Sequence, residues 1–226
     1  MVIEPAKFGE GLAFSTGAAS ASMQRALRKM SKDPAEARVF SQAKIFVPVF
    51  GSICLGIIWL IISDAIKVVE HPADIIKWIF VPIIVLALPA FFLIYGLVRR
   101  FGVDHDKVWT KFGFLFYREV RFDEVTKIGY GFNRYKLYAG RKMVNIDYNR
   151  FDYSLVYLRL LEELQHRRFE LLRCPIDDPE CEENAQITRN GFAERIYAEH
   201  KEFYANNPQA LAYLNSLTEP PTHYEN

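Results

Sequence analysis

VVEHPADIIKW, residues 68–78, is a short half-polar stretch between two of the most apolar runs of the chain. It is either a loop joining two core helices or the tip of a hairpin that crosses a membrane and returns. The run before it, Ile45–Ser63, has nineteen residues without a charge, and the run after it, Trp78–Val98, has twenty-one. About 20 apolar residues suffice for a helix to cross the hydrocarbon core of a bilayer. Neither run carries the polar stripe of a soluble amphipathic helix. A chain of 226 residues can hardly surround two such helices with other protein. The sequence therefore predicts a transmembrane hairpin over 45–98, with spans 45–63 and 78–98 and VVEHPADIIKW as its turn. Pro48 falls in a first helical turn, where proline costs least. Pro82 and Pro89 fall inside the second span, where a bilayer helix tolerates them.

Charge is segregated along the chain. Formal net charge is +1 overall, built from +3 over residues 1–44, −1 over 45–98, +5 over 99–172 and −6 over 173–226. That balance, with half the residues apolar and 15% aromatic, excludes a disordered chain and a strongly basic nucleic-acid binder. Arg25, Arg28, Lys29, Lys32, Arg38 and Lys44 precede the first span, and Arg99, Arg100, Lys107 and Lys111 follow the second. Only Lys67 and Lys77 lie between. The excess of bases outside the hairpin predicts both termini on the cytoplasmic side of the cell (inner) membrane. MVIEPAKFGEGLAF lacks the basic start and apolar core of a cleaved signal.

Residues 1–44 read as a cytoplasmic arm. FGEGLAFSTGAASAS is rich in small residues, and SMQRALRKMSKDPAEARVF is expected to form a short basic helix with Met23, Leu27 and Met30 on one face. After the second span the pattern turns to short alternating strands. They are expected at Phe101–Asp104, Lys107–Thr110, Phe114–Tyr117, Glu119–Phe122, Thr126–Tyr130, Arg134–Tyr138 and Lys142–Asp147. Leu155, Leu158, Leu161 and Leu164 then recur at helical spacing, and Asn149 or Asp152 can cap that helix. The fold class is α+β: a two-helix hairpin, a small curled antiparallel sheet closed by a helix over 99–172, and a tail over 173–226. In that tail CPIDDPECEENAQITRNG reads as an acidic connector. One or two helices follow, broken near NNP, with Phe192, Ile196, Phe203 and Tyr204 on one face. That face suits docking on the chain's own domain or on a partner.

The hairpin followed by FGVDHDKVWTKFGFLFYREVRFDEVTKIGYG, paired strands and a helix resembles bacterial pleckstrin-homology-like membrane proteins. The closest local match is VRFDEVTKIGY, similar to that family's strand–short turn–strand signature, with Phe122 at an aromatic position and Val125 and Ile128 at buried aliphatic ones. The resemblance spans roughly residues 99–172 and the order of the hairpin. It implies two bent sheets closed by a helix, and a binding or assembly module rather than an enzyme. Phosphoinositide-binding relatives place a lysine and an Arg-x-Arg pair around the first hairpin. Here that turn, VDHDK, is acidic, and Arg118 and Arg121 stand as Arg-x-x-Arg.

The best basic patch is Arg134, Lys136, Arg141 and Lys142 around the turn YAG, a candidate surface for anionic lipid. Five scattered histidines and the absence of HExxH, GxSxG or a phosphate loop give no catalytic constellation. Adjacent residues of Asp104–His105–Asp106 point apart, so a polar turn is expected there rather than a metal site. Cys174 and Cys181 lack two further ligands at zinc spacing and read as free thiols. No cofactor is expected. The expected partners are the lipid bilayer and either a membrane protein or a second copy of the chain, not nucleic acid. Two functions follow: a non-enzymatic membrane scaffold or accessory subunit, or a sensor of anionic lipid surfaces.

Overall fold

A computed structural model describes residues 30–70, 76–131, 134–172 and 174–221. The chain divides into two compact units.

One unit comprises Ser41–Arg100 with Phe112–Phe116. Its helix α1, Ala43–Glu70, contains Pro48 near its start. A π-helical turn, Ile76–Phe80, leads into α2, Val81–Val98. Pro82 occupies the first turn of α2, where its missing N–H has no helical acceptor to lose. The helices lie against each other through Phe50 and Phe92, with ring centroids 5.1 Å apart, and through Phe46 and Tyr95 at 6.1 Å. Gly96 permits this approach, because a Cβ there would lie 2.2 Å from the Cβ of Phe46. Over Ala43–Ala65 and Ile76–Val98 the helices are long and apolar enough to cross a membrane, and only 11% of each apolar window is buried inside the protein. Leu55, Trp59, Ile62, Ile84 and Leu88 all face outward. A soluble core helix would hide such side chains. VVEHPADIIKW is helical at both ends, and its centre, 71–75, lies outside the described residues.

The other unit comprises the described part of Met1–Phe40 with Phe101–Lys111 and Tyr117–Asn226. The strands are β1 (Arg38–Ser41), β2 (Arg99–Val103), β3 (Lys107–Phe112), β4 (Phe116–Arg121), β5 (Lys127–Gly131), β6 (Arg134–Ala139) and β7 (Lys142–Ile146). They form a four-stranded sheet in the order β1-β2-β3-β4 and a three-stranded sheet in the order β5-β6-β7. The helices are α3 (Ser154–His166), α4 (Cys181–Glu199), α5 (Lys201–Asn206) and α6 (Pro208–Ser216).

Several expectations change here. The basic helix expected to run to Phe40 does not: Ser31–Glu36 is a turn and Arg38–Ser41 a strand. Asp33 closes that turn by accepting from the Ala35 N–H at 2.8 Å, and Pro34 cannot donate within a helix. Met23 and Leu27, the rest of that helix, lie outside the described residues. The arm thus supplies the first strand of the sheet, and the apolar hairpin is inserted between β1 and β2. The strands expected at Phe114–Tyr117 and Glu119–Phe122 merge into β4, with Phe114 and Leu115 in the turn before it and Phe122 in a single 3-10 turn after it. Phe122, Val125 and Ile128 are buried. In the tail, Cys181–Gly191 is helix rather than connector.

The core lies between the strands and α3. Leu155, Leu158, Leu161 and Leu164 are all buried, alongside Val120, Ile128, Leu137, Val144 and Ile146 of the strands. Burying one such side chain stabilises a fold by about 1.5–3 kcal/mol. Val156, Tyr157 and Leu160 are buried as well, because α4 covers a second face of α3 with Ala185, Phe192, Ala193 and Ile196. Arg167, just past α3, donates to the Val125 and Phe122 carbonyls at 2.7 and 2.6 Å and pairs with Glu163 at 2.7 Å. It thereby satisfies carbonyls of the 3-10 turn that no strand partner reaches.

Candidate functional site

A heavily bonded polar group is Asp152, two residues before α3 starts. One carboxylate oxygen, Oδ2, accepts from the Ser31 N–H at 2.7 Å, the Ser31 hydroxyl at 2.9 Å and the Arg38 guanidinium at 2.9 Å. The other, Oδ1, accepts from the Ser154 N–H at 3.1 Å and its hydroxyl at 2.7 Å. Nε2 of His200, at the α4–α5 junction, lies 2.8 Å from Ser154 Oγ and 3.7 Å from Asp152 Oδ1. Asp152, Ser154 and His200 are all buried. Burial alone raises the Asp152 carboxyl, but bonds from His200, Ser31 and Ser154 outweigh it and hold the carboxyl well below the usual carboxylate range. Asp152 is not the cap expected of it: the N-cap position is Tyr153, without a side-chain cap bond, and Asp152 accepts from the Ser154 N–H at the first helical position while also tying down the arm.

Serine, histidine and aspartate together invite a nucleophilic reading, but the order is wrong for it. In a catalytic triad the carboxylate orients the imidazole and the imidazole takes the serine proton. Here the serine stands between the other two and gives its proton to the carboxylate. Nor has a substrate any approach to a hydroxyl of which 1% is exposed. The arrangement is a clamp: it joins the arm, the start of α3 and the tail at a single buried point.

A cleft of about 300 Å³ opens nearby in the same unit, bordered by Asp33 and Ala35, by Leu155, Leu158 and Glu162 of α3, and by Phe203 and Tyr213 of the tail. The Tyr213 hydroxyl donates to Glu162 at 2.6 Å. Burial and then that bond push the Tyr213 phenol up to about 12.

The four basic residues singled out around YAG are placed separately by the strand register. Leu137 opposes Val144 and Lys136 opposes Asn145. Leu137 and Ala139 are buried, so Arg134 and Lys136 lie on the opposite, outer face of β6. Lys142 opposes Ala139 and shares the inner-face register with Val144, and its ammonium lies 3.7 Å from Glu124. Arg141 sits on the turn beside Gly140, whose φ of +56° suits glycine. The structure thus brings Arg134 and Lys136 to one face and sends Lys142 to the other.

The tail residues Phe192, Ile196, Phe203 and Tyr204 face the chain's own core. Phe192 meets Tyr157 at a tilt, with ring centroids 4.9 Å apart, and Tyr135 edge-on at 6.0 Å. Ile196 and Tyr204 are buried, and Phe203 packs against the same cluster. Of the two occupants open to that face, the chain's own domain packs against it. Arg195 adds to the join: its guanidinium lies 4.7 Å from the Tyr148 ring centre and 5.3 Å from that of Tyr157, and it pairs with Glu199 at 3.1 Å.

Comparison with protein-family models, curated proteins and solved structures returns no match. The reading therefore rests on the chain's own chemistry. Among the described residues no three His, Cys, Asp or Glu side chains gather as a metal site. Cys174 and Cys181 are free and buried. The Asp152 clamp was missed in the sequence. DYS ahead of a leucine-spaced run signals a helix start, but nothing local links it to Ser31, Arg38 or His200.

Proposed function

We propose that the chain is a non-enzymatic integral membrane scaffold or accessory subunit of the cell (inner) membrane, anchored by its hairpin, with both termini cytoplasmic and a pleckstrin-homology-like module for protein assembly. The observation that carries this reading is the outward apolar surface of the two 23-residue helices, almost none of which the protein covers itself. Water would penalise that surface, whereas hydrocarbon accepts it. Four strands, then three, then a closing helix support the pleckstrin-homology-like reading of the module. The buried and misordered Ser154–His200 pair supports a binding role over a chemical one.

Topology is tested by cysteine labelling in intact cells. A cysteine replacing Asp74 should react with an impermeant maleimide from outside, and one replacing Glu183 should react only after permeabilisation. External labelling at position 183 would refute the orientation.

The second reading, an anionic-lipid sensor using Arg134, Lys136, Arg141 and Lys142, is less well supported because the register divides the patch. Each base gathered at a membrane surface contributes about 1 kcal/mol, screened by salt. Four neutral substitutions on the full chain in nanodiscs should therefore leave its preference for phosphatidylglycerol nearly unchanged. A loss of that preference, recovered at no salt concentration, would favour the sensor.

A further inference from the structure

The turn between β3 and β4 and the first two residues of β4 expose four apolar residues in succession. Phe114 is 96% exposed, Leu115 67%, Tyr117 50% and Phe116 43%. Isolated exposed apolar side chains are ordinary, but a contiguous patch marks an interaction surface. The turn holding them has defined geometry. Gly113 has φ +53°, and the Leu115 N–H donates to the Phe112 carbonyl at 3.0 Å. A side chain at position 113 would be strained and would bring a Cβ within 2.7 Å of Val98 Cγ1.

That contact places the tip within the helical unit, beside the end of α2. The Gly113 N–H donates to the Val98 carbonyl at 3.4 Å, one of the terminal carbonyls that a helix cannot satisfy itself. A row of rings continues from the helix into the turn: Phe91 to Tyr95 at 6.2 Å, Tyr95 to Phe112 at 5.7 Å, and Phe112 to Phe116 at 5.7 Å. Cations border the row. Arg99 lies over the Tyr95 ring at 5.0 Å, Arg100 follows it, and Lys111 and Arg118 flank the tip in sequence. Apolar rings bordered by arginine and lysine at the end of a spanning helix match the headgroup boundary, where rings sit at acyl level and cations meet lipid phosphate.

We infer that the β3–β4 tip, centred on Phe114 and Leu115, is a second membrane anchor that enters the interfacial layer of the bilayer beside the end of α2. This rests on the membrane-spanning reading of the hairpin. The occupant is lipid rather than another protein because the patch continues the outward apolar surface of α2 and carries cationic flanks that suit anionic headgroups. The tip would fix the strands at a set depth and angle, which two spans alone leave free.

The test uses the full chain in nanodiscs of phosphatidylethanolamine and phosphatidylglycerol. Phe114→Cys carries an environment-sensitive fluorophore, with Leu115→Cys as a second position. Ile84→Cys reports on α2 and Glu183→Cys on an aqueous surface, with the unsubstituted protein as blank for the buried native thiols. Nitroxide on a shallow acyl carbon should lower the emission at positions 114 and 115 roughly twofold or more, while iodide affects them far less than position 183. If Ile84→Cys is quenched by lipid nitroxide but positions 114 and 115 respond to iodide as position 183 does, the tip inference fails and the spanning reading stands. If positions 114 and 115 are shielded from both quenchers, protein covers the tip and the inference also fails. If lipid nitroxide reaches none of the labels, Ile84→Cys included, the spanning reading falls and the inference falls with it.

Discussion

Replacing Asp152 by alanine should lower the stability of the strand-containing unit by about 3–5 kcal/mol, the range for removing one partner of a buried charge pair. The loss is large because the substitution removes one acceptor from donors at several places together. The Arg38 guanidinium, the Ser31 N–H and hydroxyl, and the Ser154 hydroxyl all lose their bonds to this carboxylate. For a unit of this size each kcal/mol moves Tm by about 2–4 °C, so unfolding of the purified full chain in mild detergent should start roughly 6–20 °C lower. Asp123→Ala, which removes only an exposed pair with Arg121, should stay within about 1 kcal/mol of the parent. Equal shifts for the two variants would show that the clamp does not hold the fold together. The same carboxylate gives a pH dependence. Its folded value lies below the unfolded one, so its contribution is complete above the ordinary carboxylate range. That contribution should decline progressively as pH falls below about 4, towards the depressed folded value. Asp152→Asn should flatten this acid limb.

What could be read ahead of the structure was what composition and short-range period encode. Ile45–Ser63 and Trp78–Val98 reveal their helices because no charge interrupts them, and the leucines of α3 because 3.6-residue spacing is local. Strand β1 was missed because its pairing is not local: Arg38–Ser41 looks like the end of a basic helix, and β2 returns only after the whole apolar hairpin. The start of α4 was missed for another reason. Its buried stripe runs through Cys181, Ala185 and Arg189, and neither alanine nor a buried arginine announces a core face. Arg189 is sequestered there because Glu182 lies 3.2 Å away. The basic residues around YAG looked convergent because sequence shows proximity but not face, and an odd offset of three ladder positions puts Lys136 and Lys142 on opposite faces. The exposed apolar turn was hidden by its own composition, since GFLFY reads as a strand until the backbone shows Gly113 turning.

Truncation after residue 173 should abolish cooperative unfolding of the remaining unit rather than release an independent module. The argument comes from the core. The expected boundaries put a self-sufficient sheet-and-helix domain at 99–172, yet Ala185, Phe192, Ala193, Ile196, Tyr204, Leu214 and Leu217 belong to the same buried cluster as the strands and α3. Without them Val156, Tyr157 and Leu160 would face water on a helix that has no polar side to offer there. At about 1.5–3 kcal/mol for each large apolar side chain returned to solvent, these three alone lose about 5–9 kcal/mol, comparable with the about 5–15 kcal/mol that holds an ordinary domain folded. Phe192→Ala samples the same join in a milder form. It removes a ring that packs on Tyr157 and Tyr135 and should cost about 3–5 kcal/mol. Both are read on protein purified in detergent, by near-ultraviolet circular dichroism and by the sharpness of the thermal transition. If the truncated chain kept a sharp transition and its aromatic signal, the tail would be a detachable arm, and Phe192, Ile196, Phe203 and Tyr204 would return as a surface for a partner. The expected outcome, a broad transition and a lost aromatic signal, makes the tail an integral layer of the domain and leaves partner binding to surfaces that the core does not already use.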